Sequence, residues 1–251
     1  MNLVPKTILT ELDEKIDKLI ALHTFVSKDS ADFISALREI DKVGIEQAPQ
    51  ATRLRAVLLA IAGENSLALK ALRDLHLPEF VASCEIGLMA NMGLCLEAQP
   101  LYAKYSGPNT GNFTKDFELG LSCGAIRQVA SFLQNAKKMS LTNLESIPMD
   151  IIENAEKMLN EFEISDVQIG QLMDVVGSVL QDEKMFYIGT CPEIEVIDLP
   201  GVLRTTLLTY SLPTSSDRAV DLYLDFIDRL GQMSLNIPSG LQINFSGAGA
   251  R

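Results

Sequence analysis

Residues 60–63 read Ala60-Ile61-Ala62-Gly63, residues 90–93 read Ala90-Asn91-Met92-Gly93, and residues 121–124 read Leu121-Ser122-Cys123-Gly124. The three glycines stand 30 and 31 residues apart, and each divides one apolar run from the next. Apolar residues follow them at matching offsets: Ala68, Ala71 and Leu72, then Ala98, Leu101 and Tyr102, then Val129, Phe132 and Leu133. Self-similarity at such a period marks a repeated supersecondary unit. The stretch 52–139 therefore predicts three helix–turn–helix pairs: 52–62 with 66–76, 79–92 with 94–105, and 114–123 with 125–139.

Two irregularities lie inside these helices. Pro100 is expected to kink or break its helix near the middle. Gly87 and Gly120 each cost about 1 kcal/mol of helix propensity, which predicts that a neighbouring helix approaches them closely.

Outward from the repeat the pattern remains helical. Ile8, Leu9, Leu12, Ile16, Leu19 and Ile20 share one face of a predicted helix over 5–25. Ser30 should cap a second helix, which carries Phe33, Ile34, Leu37 and Ile40 and ends at Gly44, and residues 46–50, with Pro49, form a connector. Past the repeat, 149–163 presents Ile151, Ile152, Ala155, Met158, Leu159 and Phe162 on one side. Ser165-Asp166-Val167-Gln168 reads as a capping box that opens one more helix.

From Lys184 the texture changes. The run 185–189, the Ile/Val-rich 193–199, the Thr-rich 202–212 and the alternating 241–245 all read as strands, with a helix over 216–233 before the last. On that helix Ala219, Leu222, Tyr223, Phe226, Ile227 and Leu230 are expected to face inward. The expected fold class is mainly α: an antiparallel helix-pair repeat array followed by a small α+β unit ordered β-β-β-α-β. The expected domains are 1–183 and 184–251, with acidic helices over 145–183 closing the first.

Charge is distributed unevenly. The chain has 251 residues and a net charge of −12. Residues 1–139 hold 15 basic and 16 acidic side chains, whereas residues 140–183 hold one lysine, Lys157, against ten acids. Such a balance argues against a sequence-independent grip on nucleic acid, which needs clustered Lys and Arg, and against docking on anionic lipid. Asp150, Glu153, Glu156, Glu163, Asp166 and Asp174 are the candidate contacts for a basic partner protein; the bland alternative is a solvated helix face.

Sites for catalysis or cofactors are sparse. Gly120-Leu121-Ser122-Cys123-Gly124 matches the nucleophile elbow of α/β hydrolases, which needs a strand before the serine and a histidine after it. Here a helix precedes Ser122, and the only histidines, His23 and His76, come earlier in the chain. Both histidines fit helix C-termini, where a cation is favoured. Cys84, Cys95, Cys123 and Cys191 form no Cys-x-x-Cys pair and read as reduced, buried thiols. No zinc-site spacing and no phosphate-binding loop is present, so no metal or cofactor is expected. The N-terminal residues lack an apolar signal core, and the expected location is cytoplasmic.

Paired antiparallel helices with this period resemble the tetratricopeptide-like class of helical repeats over about 52–139. The resemblance is one of architecture: the signature residues of that class are not reproduced, and no binding residue is carried over. What the resemblance implies is a concave surface that binds another protein. The sequence thus leads to a non-enzymatic interaction module of antitoxin, immunity, chaperone or adaptor type. An acidic mimic of nucleic acid and a hydrolase using Ser122 are the alternatives. The final strand offers an edge through which a homodimer could form.

Overall fold

All three junction glycines are left-handed, with φ of +76° at Gly63, +69° at Gly93 and +72° at Gly124. Each turn is closed in the same way across the helix end, by Glu64 N–H to Leu59 O, Leu94 N–H to Met89 O and Ala125 N–H to Gly120 O. This is the Schellman closure, which satisfies carbonyls that the last helical turn would otherwise leave open. The glycine spacing therefore marks three equivalent reversals of the chain.

The structure, a computed structural model, describes residues 4–44, 47–106, 113–139, 147–186 and 191–247. These residues form eleven helices and a three-stranded mixed sheet at the C-terminal end. α1 (Val4–Ile20) and α2 (Ala31–Val43) pack on each other and on α3. Ser30 caps α2 as expected, accepting from Phe33 N–H. Three hairpins follow: α3 (Ala48–Ile61) with α4 (Asn65–Arg73), α5 (Pro78–Asn91) with α6 (Cys95–Tyr105), and α7 (Phe113–Ser122) with α8 (Ile126–Lys138). Then come α9 (Met149–Glu161) and α10 (Asp166–Asp182), the latter opened by the expected Ser165–Gln168 capping box.

Several expectations are corrected. α1 stops at Ile20 rather than Phe25, since His23 turns left-handed (φ +52°). α3 starts four residues earlier than expected: Pro49 lies in its first turn, where the missing N–H costs nothing, instead of in a connector. α6 runs unbroken through Pro100. Gly87 is contacted only loosely, by Leu119, whereas Gly120 is pressed by Tyr102 and Val129 as expected.

The C-terminal unit has three strands, β1 (Glu193–Leu199), β2 (Leu203–Leu212) and β3 (Leu241–Gly247), in spatial order β1-β2-β3. β1 and β2 form an antiparallel hairpin across Pro200-Gly201, and α11 (Ser216–Gln232) crosses over to bring β3 parallel to β2. Among the described residues the order is therefore β-β-α-β, and of the strand expected at 185–189 the described part, Met185 and Phe186, does not join the sheet. Met185 instead bridges Thr24, and two backbone bonds, Phe25 N–H to Lys184 O and Phe186 N–H to His23 O, tie this segment to the connection after α1. Phe186 is buried there. Residues 187–190 lie outside the described residues.

One apolar face of the sheet, with Leu208, Tyr210, Leu212, Ile243 and Phe245, turns toward the helices. α9 packs on β1 and β2, and α11 packs on β3 and α10. Tyr210, Tyr223, Phe226 and Phe245 form an aromatic cluster with ring centroids 5.8 to 6.3 Å apart. A single buried cluster runs from Leu12 through the hairpins and α10 to Phe245, so the sheet shares its core with the helical part.

Candidate functional site

α4, α6 and α8 begin without side-chain caps of their own; Glu64, Leu94 and Ala125 stand at their N-cap positions. An uncapped helix start leaves backbone N–H groups unsatisfied. α10 supplies the partners for two of them. Asp174 accepts from the N–H groups of Cys95 and Leu96 at the start of α6. Asp166 accepts from Arg127 N–H at 2.9 Å and Gln128 N–H at 3.1 Å at the start of α8. At the start of α4, Asn65 Nδ2 donates to Gln181 Oε1 at 2.8 Å, and Gln181 Nε2 donates on to Asn91 O at 3.0 Å. Gln99 Nε2 makes a matching link at the other end, donating to Cys123 O and Asp166 O at 3.0 and 2.7 Å.

Residues 166, 174 and 181 are eight and seven positions apart. On an α-helix that is roughly 12 and 10 Å along the axis, close to the spacing of about 10 Å at which helices pack. α10 therefore runs back across the hairpins and touches one turn after another. At each acidic contact the carboxylate faces the positive end of a helix dipole. Burial nevertheless pushes the Asp174 carboxyl up to about 6, partly offset by the two backbone donors, and raises Asp166 for the same reason.

Five further acids of this segment also have internal partners. Glu153 pairs with Lys137, Glu156 accepts from Gln134, and Glu161 is bound by Arg204, which also pairs with Asp198. Asp182 pairs with Arg229, and Glu183 with Arg218. Of the six residues expected to meet a basic partner, Asp166 and Asp174 cap helices inside the fold, and Glu153 and Glu156 face α8. Asp150 and Glu163 stand exposed. They do not form one patch with the capping residues, which look into the hairpins.

A cleft lies between the first helices of the three hairpins and α10. Its volume is about 270 Å³, and it is lined by Arg53 and Val57 of α3, Ser83, Cys84 and Gly87 of α5, and Lys115, Glu118, Leu119 and Ser122 of α7. Met173, Val176 and Leu180 of α10 form the facing wall, with Cys191, Pro192 and Tyr210 at one end. Its lining is mostly apolar, with two cations and one carboxylate among the polar groups, the mixture typical of a binding pocket. Burial raises the Cys84 thiol to about 11 against the pull of Arg53 and Lys115, and raises the Cys191 thiol beside Glu118. Neither thiol has the depressed pKa that a nucleophilic cysteine needs.

Ser122 lines this cleft, but it sits in the last turn of α7 and its Oγ donates to Leu119 O at 2.9 Å. No strand leads into it, and Gly124 behind it is a hairpin turn. His23 and His76 are both left-handed residues just past helix ends. Among the described residues no group of three or more His, Cys, Asp or Glu side chains is placed to hold a metal ion. No helix among them is long and apolar enough to cross a membrane.

The cleft escaped the sequence reading because its lining comes from six separated stretches. The signal that could have located it is Gly87, a glycine in mid-helix with little packed against it. Comparison of the chain with protein-family models, with curated proteins and with solved structures returned no match.

Proposed function

We propose that this protein is a non-enzymatic binding module, a short helix-pair array of tetratricopeptide-like design whose inner face holds a segment of another protein. The observation that carries this reading is the 270 Å³ cleft between the first helices of the hairpins and α10. Its apolar walls suit one or two apolar side chains, and the positive charge of Arg53, which also pairs with Asp13 at 3.6 Å, and of Lys115 favours an acidic group beside that anchor. Burial shifts the thiols that line the cleft upward, away from the reactive thiolate, which supports binding over chemistry.

Selection from a displayed peptide library tests this. The wild-type chain should enrich peptides with an apolar anchor next to Asp or Glu, and Gly87→Leu, which fills the cleft, should abolish that enrichment. Equal enrichment by both proteins, or none by the wild type, would sink the reading.

A second reading, docking of a basic partner on the acidic segment, rests on the exposed Asp150 and Glu163. Internal pairing of seven of that segment's ten acids makes it the weaker one. The same pairing weighs against a mimic of nucleic acid, which needs free carboxylates in a regular row.

A further inference from the structure

The two edges of the sheet differ in a way that has a physical consequence. β1 carries Glu193, Glu195 and Asp198, and charge on an edge strand prevents pairing with other chains. β3, Leu241-Gln-Ile-Asn-Phe-Ser-Gly247, carries no charge and no proline, and its only strand neighbour among the described residues is β2. An open recess of about 650 Å³ at the start of β3 is lined by Leu203, Arg204, Thr205 and Leu207 of β2, by residues 237–240, by residues 241–244 of β3 and by Tyr223 of α11. Tyr223 meets Phe245 of β3 edge-on at 6.3 Å, and α11 packs on β3 while Arg218 and Arg229 tie its other flank to α10. The Tyr223 flank of α11 therefore lies toward the open edge of β3.

That flank is apolar. Val220 and Leu224 are 56% and 55% exposed and Ile227 is 37% exposed. Their spacing, i, i+4 and i+7, lines them up as one stripe. Ile227, expected in the core, belongs to this stripe. Gly231 continues it, and a Cβ there would meet open space. The opposite flank of α11 is the one held to α10, through Arg218–Glu183 and Arg229–Asp182. The stripe has no partner within the described chain.

We infer that β3 and the Val220–Leu224–Ile227 stripe form an isologous interface with a second copy of this chain. β3 pairs antiparallel with its counterpart into a six-stranded sheet, and the two α11 helices pack over the seam. A second copy is the occupant that this self-complementary surface fits, and the charge pattern sets where two copies can meet. The chain carries −12, so two copies repel wherever their acidic faces meet, and this uncharged strand and stripe are where they can approach. An edge strand and a short apolar stripe are also self-complementary about a two-fold axis, which a C2 contact requires. A basic partner would be drawn to the acidic surface instead. The interface lies on the C-terminal unit and does not depend on what the hairpin cleft binds.

Sedimentation and light scattering of the full chain, from micromolar to submillimolar concentration, test this. The wild type should approach twice its mass of 27.5 kDa, and added salt should strengthen the association by screening the remaining repulsion. Leu224→Glu and Ile227→Glu, at exposed positions, should return the chain to the single mass while it stays folded, with a melting temperature that no longer rises with concentration. Amide exchange on β3 should be slow in the wild type and fast in Leu224→Glu. A wild-type monomer throughout the series, or a dimer that both substitutions leave intact, overturns the proposal.

Discussion

Gly93 at the turn between α5 and α6 rests directly on Gly177 of α10: a Cβ on Gly93 would lie 3.0 Å from the Gly177 Cα and 2.9 Å from Asp174 O. A Cβ on Gly177 would fall well inside van der Waals contact distance of the Gly93 Cα and backbone N. No rotamer change relieves a clash between two backbones. Gly177→Ala should therefore cost about 3 kcal/mol, the upper end of overpacking penalties. Gly170→Ala should cost clearly less, since the nearest atom there is the end of the Gln99 side chain. Chemical denaturation of both variants measures the difference.

Asp174 makes stability depend on pH in a direction unusual for a carboxylate. Its folded pKa is raised from an ordinary 3.8 to about 6, so between those values the folded chain holds a proton that the unfolded chain has released. The stabilisation from this group is complete below pH 4 and is lost as the pH rises through about 6. Asp174→Asn should flatten that part of the profile while keeping a capping oxygen. Asp174→Ala should remove the cap and cost about 1 kcal/mol at neutral pH. Melting temperature against pH for the three proteins checks both statements.

Gly87→Ala should raise stability by about 0.5–1 kcal/mol, because the position is helical and its Cβ would meet only Leu119 Cδ2 at an ordinary 3.7 Å. A rise in the denaturation midpoint is the expected result. Gly87→Leu, whose longer side chain enters the cleft, should fold at least as well as the wild type.

The four thiols should separate by accessibility. Cys84 and Cys191 line the cleft, whereas Cys95 and Cys123 are buried and hydrogen-bonded to backbone carbonyls. An uncharged maleimide should label the first two slowly at pH 7, since the Cys84 thiol titrates near 11, and faster at pH 9. Cys95 and Cys123 should react only on unfolding. A peptide held in the cleft should protect Cys84, as mass spectrometry of the labelled chain would show.

The helix pairs were legible because their signals are local. A glycine at each turn, a period of 3.6 in the apolar residues and a capping box each act within a few positions. The turns after α9 and α10 close in the same way, on Glu163 and Lys184 at φ +55°, and no glycine marks them. The role of α10 was hidden for a different reason. Asp166 and Asp174 read as surface charge because each carboxylate finds its donors 38 to 79 residues away. Ile151 and Ile227 were placed inside by periodicity alone, yet both are exposed, since α9 and α11 bury narrower stripes than their sequences offer. The segment at 185–186 has strand composition and was misplaced, because its hydrogen bonds go to residues 23–25 and not to its neighbours in sequence.

The contacts along α10 also set a count. A stack of helix pairs can in principle be lengthened or shortened by whole units, because each unit touches only its neighbours. Here every unit is also in register with a position on one helix of 17 residues, at 166, 174 and 181. Adding or deleting a hairpin would leave α10 seven or eight residues out of step, with a helix start uncapped or a carboxylate buried alone. The three-pair array is thereby a closed assembly whose size can change only if both parts change together.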